Sequence, residues 1–201
     1  MALDAKKLVF EPIRVEDSVR IAPYFYRRPN KTCDSCALDS YLWAEYCDTR
    51  IAEWEDKALF ILMEKDGEQY TATPYCDEED LPQYFDLIKD YFNQVLKKPL
   101  KIYLADEEAV KYLHLEEDPR FIVREEEDYK DYLYDAEELR TLPGKRFHKK
   151  KNLVNKFKRE YEGRWEYRSI CCSEKVVVWE FLDRWYKSSV KEEGNGEDTL
   201  E

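Results

Sequence analysis

Residues 57–74, KALFILMEKDGEQYTATP, constrain the fold more than any other stretch of this chain. Two short runs rich in strand-forming residues flank Asp66-Gly67. An Asp-Gly pair between such runs is a hairpin signal, because the tight turn needs left-handed backbone at both central positions. An antiparallel ribbon is therefore expected, and something apolar must cover it. Residues 80–98, DLPQYFDLIKDYFNQVLKK, can do so. Leu81, Tyr84, Phe85, Ile88, Tyr91, Phe92 and Val95 fall on one side of a helix. Pro82 sits in its first turn and Pro99 stops it.

Around this pair the remaining elements read as follows. Residues 7–13 form a strand ended at Pro12, and residues 15–25 a short helix with Glu16 and Asp17 near its positive end. Residues 36–47 form a second helix with Leu38, Leu42, Trp43 and Tyr46 at helical spacing. A strand over 50–54 precedes the hairpin. Strands over 100–105, 120–125 and 128–135 and a helix over 106–115 follow it. After Tyr134 helices and strands alternate again: a helix over 136–142, a basic helix stopped at Gly163, a strand over 164–170 and a helix over 173–190. Val178, Phe181, Leu182 and Trp185 share a face of that last helix. A polar segment ends the sequence.

The 201 residues suffice for one or two domains with a real core. At 43% hydrophobic and 15% aromatic, the composition is globular although 39% of residues are charged. Only five glycines are present, so glycine-rich phosphate loops are scarce. No run approaches the ~18 apolar residues of a membrane span, and the N-terminus lacks the apolar core of a secretory signal. A cytoplasmic chain is expected. Cys33 and Cys36 form a C-x-x-C, but no second ligand pair accompanies them, and free thiols are expected at all six cysteines. The acidic turn 124–128 specifies a metal poorly, so no metal is assigned. His114 and His148 have no Ser or Asp arranged around them for nucleophilic catalysis.

The chain is acidic, with a formal net charge of −12, yet residues 141–163, TLPGKRFHKKKNLVNKFKREYEG, are almost purely basic. From Arg140 to Glu160 nine cations meet one carboxylate, a net of +8 that leaves −20 for the rest. On a helix, Phe147, Val154, Phe157 and Tyr161 fall on one side, and Lys145, Lys149, Asn152, Lys156 and Arg159 on the other. Lys150 lies among the apolar positions, so its stem must snorkel. The row either reaches the phosphates of a polyanion or pairs with the negative remainder of the chain as a solvated face.

The order β-α-α-β-β-β-α-β-α-β-β over residues 7–134 resembles the GCN5-related N-acetyltransferase (GNAT) fold. The expected class is α+β, a GNAT-like mixed sheet flanked by helices. The stretch ELRTLPGKRFHKKKNLVNKFKREY, residues 138–161, resembles a signature of the phosphatidylglycerol lysyltransferase C-terminal-domain family, and SYLWAEY, residues 40–46, is similar to part of its first repeat. That resemblance implies two tandem GNAT-like modules: a complete first module over 1–134, and the opening of a second, incomplete, over 135–201 with its polar tail. It also implies a relative of aminoacyl-tRNA-dependent aminoacyl or acyl transferases that needs the rest of the second module to act. Substrate contact is assigned to Lys145, Lys149, Asn152, Lys156 and Arg159, with aminoacyl-tRNA or an anionic lipid headgroup as partner of the basic helix 145–161. No general base or other catalytic residue is assigned.

In acetyltransferases of this fold, a glycine-rich turn into a helix N-terminus holds the CoA pyrophosphate. The corresponding turn here, TPYCDEEDLP at 73–82, has no glycine and carries Asp77, Glu78, Glu79 and Asp80. Those carboxylates repel a diphosphate, so acetyl-CoA is disfavoured in the first module and no cofactor is expected. The same turn favours an alternative: a non-enzymatic binding or interaction protein on a degenerate acyltransferase scaffold.

Overall fold

A computed structural model describes residues 3–28, 32, 33, 35–103 and 105–192. The hairpin forms where the sequence places it. Asp66 and Gly67 take φ of 53° and 77°, and strands β3 (Ala58–Lys65) and β4 (Glu68–Thr71) pair with Lys65 opposite Glu68. Strand β2 (Arg50–Trp54) pairs antiparallel with β3, Ile51 facing Ile61, and β1 (Glu11–Pro12) pairs antiparallel with β2. The sheet order is β1-β2-β3-β4. Among the described residues parallel pairing is confined to one bridge, Thr71 to Ile102. The protein is α+β, four antiparallel strands with seven α-helices among the described residues.

Residues 58–62 of β3 are all buried, because apolar groups cover both faces of the sheet. Phe60 and Leu62 point to the side where Leu81, Tyr84, Leu87 and Ile88 of helix α3 (Leu81–Asp90) pack with Phe92. Leu59 and Ile61 point to the other side, against Ile21 of α1 (Asp17–Ile21), Tyr24 and Phe25 of the following 3-10 turn, and Ala37 of α2 (Ala37–Leu42). Helix α3 runs on into a π-helical turn, Tyr91–Leu96, and stops at Lys97 in the left-handed region. That turn keeps both Tyr91 and Phe92 buried. Helix α4 (Glu107–Tyr112) is capped by the Asp106 carboxylate, which accepts from the Ala109 N–H at 2.8 Å.

The chain divides into two compact units, Met1–Leu133 and Tyr134–Glu201. The second contains α5 (Ala136–Thr141), α6 (His148–Glu160) and α7 (Lys175–Glu192). Asp135 caps α5 by accepting from the Glu138 N–H. Left-handed backbone at Leu142 and Gly144 turns the chain into a 3-10 turn, Lys145–Phe147, that leads into α6. Arg168 and the Cys171 N–H grip Glu174 just before α7 and hold its carboxyl down to about 2.

Several expected elements are absent or shorter. The strand over 7–13 is reduced to Glu11–Pro12, with a 3-10 turn at Ala5–Lys7. The strand over 100–105 is reduced to the Thr71–Ile102 bridge, since β4 ends at Thr71; Leu104 lies outside the described residues. No strand forms over 120–125, 128–135 or 164–170. Ile122, Tyr132, Tyr167 and Ile170 are exposed, and a strand without a neighbour has no partner for its backbone groups. On α2 the inward residues are Ala37 and Tyr41 rather than Leu38, Leu42 and Trp43, which are exposed. The polar tail beyond Glu192 lies outside the described residues.

Candidate functional site

The basic segment is a helix. Four residues of the sequence-assigned row, Lys149, Asn152, Lys156 and Arg159, lie on α6, and Lys145 opens the 3-10 turn before it. Their steps of four, three, four and three residues keep them on one face. At a rise of about 1.5 Å per residue, Lys149 and Arg159 are about 15 Å apart along the axis. All five side chains are exposed.

Among the described residues, ion pairing in the second unit leaves most cations of α6 unneutralised, Lys150, Lys151 and Lys158 as well as the row. In the same unit Arg140 pairs with Glu137, Arg146 with Glu138, Arg168 with Glu174 and Lys187 with Asp183. Lys156 approaches Glu160 only to 3.7 Å. Lys145, Lys149 and Arg159 form no ion pair among the described residues. Asn152 meets the His148 ring at 3.1 Å. The row is thus a line of mostly unneutralised positive charge in an acidic chain.

The opposite side of α6 departs from the sequence reading. Phe147 is buried, whereas Val154, Phe157 and Tyr161 are 40–46% exposed. Phe157 stacks on Tyr161 at 4.9 Å and meets Trp165 at 5.8 Å. The aromatic residues therefore cluster with one another instead of sinking into a core. No expected strand over 164–170 removes Trp165 from this cluster. Gly163, at φ 69°, turns the chain so that Trp165 returns to the helix.

In the first unit, sequence reasoning missed two arginines at the acidic turn 73–82. Arg27 bonds Asp77 at 3.1 Å and the Asp56 carbonyl at 2.5 Å. Arg28 is buried and makes a two-pronged pair with Asp106 at 2.6 and 2.8 Å. Burial works against the charge on Asp106, but Arg28 and the Ala109 N–H together hold its carboxyl below the usual range. Burial pushes the Cys76 thiol beside them up to about 12, so it stays protonated. These contacts join residues 50 and 78 positions apart, and no local pattern announces them. Among the described residues none of the six cysteines forms a disulfide, and no three His, Cys, Asp or Glu side chains are grouped to hold a metal ion. No described helix is long and apolar enough to cross a membrane.

The fold is similar to that of a conserved protein of unknown function from Bacteroides thetaiotaomicron VPI-5482, with a TM-score of 0.78. The two are 22% identical over 94% of this chain, which spans 62% of that protein. At that identity the likeness speaks for the fold alone. No curated protein matches the chain. The family model described as phosphatidylglycerol lysyltransferase, C-terminal, matches residues 28–199, which include strands β2 to β4 and the basic helix. On that match the chain is related to lysyltransferase-type acyltransferases, and it belongs to the phosphatidylglycerol lysyltransferase C-terminal family.

Proposed function

We propose that this chain is part of an aminoacyl-tRNA-dependent transferase system and that α6 contributes a phosphate-docking face. The observation that carries this is the exposed row Lys145, Lys149, Asn152, Lys156 and Arg159, in which Lys156 alone among the four cations approaches a carboxylate, at 3.7 Å. A polyanion gains from such a row because each phosphate contact releases condensed counterions. The rest of the chain, at −20, repels a polyanion, so the row also orients the approach. In such transfers an amine or hydroxyl attacks an activated ester, and holding the two in place supplies much of the rate. On this reading residues 1–134 are a scaffold module that does not take acetyl-CoA, and residues 135–201 open a second module.

Titration of deacylated tRNA at several salt concentrations tests this. The expected result is log–log salt dependence with a slope of about 3 to 4 for a row of four cations. Lys149→Glu with Lys156→Glu should lower that slope by about two and weaken binding at every salt, with an unchanged unfolding temperature. Vesicles of phosphatidylglycerol serve as a second arm. Binding to vesicles but not to tRNA would move the docking face to lipid headgroups. No binding to either at low salt would overturn the reading and leave the alternative, a non-enzymatic interaction protein. The glycine-free turn at 73–82, whose Asp77 already engages Arg27, favours that alternative.

A further inference from the structure

A depression of about 470 Å³ lies at the C-terminal end of α6, lined by Asn155, Lys158, Arg159, Glu162, Gly163 and Trp165. It exists because of how the helix ends. The last helical hydrogen bond runs from the Tyr161 N–H to the Phe157 carbonyl, and the Arg164 N–H then closes a turn onto the Tyr161 carbonyl at 2.8 Å. Gly163 supplies the left-handed residue of that turn. Trp165, 45% exposed and braced against Phe157, becomes a wall beside the last turn of the helix.

The chemistry of the lining is selective. Asn155, Lys158, Arg159 and Glu162 make no hydrogen bond or ion pair among the described residues. Glu162 stands four residues after Lys158 and three after Arg159, spacings that favour pairing on a helix. It lies beyond the end of α6, though, and meets neither. One depression thus offers two cations, an amide and a carboxylate, all unengaged, beside an indole that is partly exposed. A bare phosphate has no use for the carboxylate, and an acidic peptide would be repelled by it. A lipid headgroup has no flat surface for the indole. An unpaired nucleotide uses every group: the base stacks on the aromatic ring, an amino group of the base donates to Glu162, and the phosphate meets the cations.

We propose that this depression is a single-nucleotide subsite. Trp165 stacks the base, Glu162 and Asn155 read its polar edge, and Lys158 with Arg159 holds the adjoining phosphate. The subsite rests on the reading that α6 docks RNA phosphates, and it continues that row past Arg159. Because Glu162 can only accept, adenine, cytosine and guanine, whose exocyclic amino group donates at the edge of the base, bind better than uracil, whose one donor, N3–H, sits between two carbonyls that repel the carboxylate.

The test uses the full chain and two labelled RNA hairpins of identical stem, one blunt and one with a single-stranded 3′ extension ending in adenosine. The extended hairpin should bind about tenfold tighter, the effect expected of one stacked base. Trp165→Ala should remove that preference and leave blunt-hairpin binding unchanged, while Trp165→Phe should keep most of it. Glu162→Gln should level adenosine and uridine extensions, a readout that stands even if the tryptophan variant fails to fold. Equal binding of both hairpins by the wild type, or a preference that survives Trp165→Ala, sinks the subsite but spares the phosphate row. An extension preference met by an intact Glu162→Gln discrimination sinks the edge reading. Failure of both hairpins to bind at low salt sinks the row and the subsite together.

Discussion

Strand β3 and helix α6 both carry large apolar side chains, yet they use them in opposite ways. Every residue from Ala58 to Leu62 of β3 is buried, because α3 covers one face of the sheet and α1 and α2 cover the other. On α6 no residue is buried, and in the whole second unit Phe147 is the one buried residue among those described. The first unit is held by tertiary packing. The helices of the second are set by local terms: the Asp135 cap, the Arg168–Glu174 pair before α7 and the Phe157–Tyr161–Trp165 cluster. Helices of 13 residues are marginal in water without tertiary contacts. The contrast teaches that amphipathic pattern predicts where a helix forms, but not whether its apolar side is covered.

The sharpest way to break this comparison is a matched pair of truncations. Phe92→Ala, at a fully buried site beneath the sheet, should cost about 3–5 kcal/mol in denaturant unfolding. Phe157→Ala, at a half-exposed site, should cost about 1 kcal/mol or less. Equal costs would mean that the second unit has a core of comparable strength.

Next in size is the buried pair. Arg28→Met strands the Asp106 carboxylate and should cost about 3 kcal/mol at neutral pH. The two proteins should also differ in their response to acid. In the wild type Asp106 titrates below its unfolded value, so its contribution is complete above about pH 4 and is lost as pH falls through the folded value. In Arg28→Met, burial of the carboxyl is opposed by the Ala109 N–H without the guanidinium, so its pKa rises relative to the wild type and moderate acid should recover part of the lost stability. Unfolding midpoints between pH 3 and 7 read both slopes. The smallest effect belongs to the second unit. Asp135→Ala removes the cap of α5 and should cost that helix about 1 kcal/mol. Amide exchange over Ala136–Thr141 would speed up while the sheet stays protected.

Much of the first unit was legible in the sequence, since its signals are local. Asp66-Gly67 fixes the hairpin register, and the stripe from Leu81 to Phe92 fixes the covering helix. The strands over 120–125, 128–135 and 164–170 misled because alternation in sequence carries no information about a neighbouring strand. Ile122 and Tyr167, 84% and 94% exposed, show what such a segment does unpaired. The cation row was legible from charge and helical phase. The depression beside it was not, because it depends on a turn at Gly163 that reverses Trp165 onto Phe157. The ties from Arg27 to Asp77 and from Arg28 to Asp106 were equally hidden, as each spans dozens of residues.

Arg27 stands near the mouth of α3, bonded to Asp77 just before the helix. Its guanidinium already has a resident carboxylate in Asp77 and a backbone carbonyl at Asp56. Any negatively charged visitor to that turn must evict an occupant supplied by the protein itself. The acidic loop thus carries its own plug.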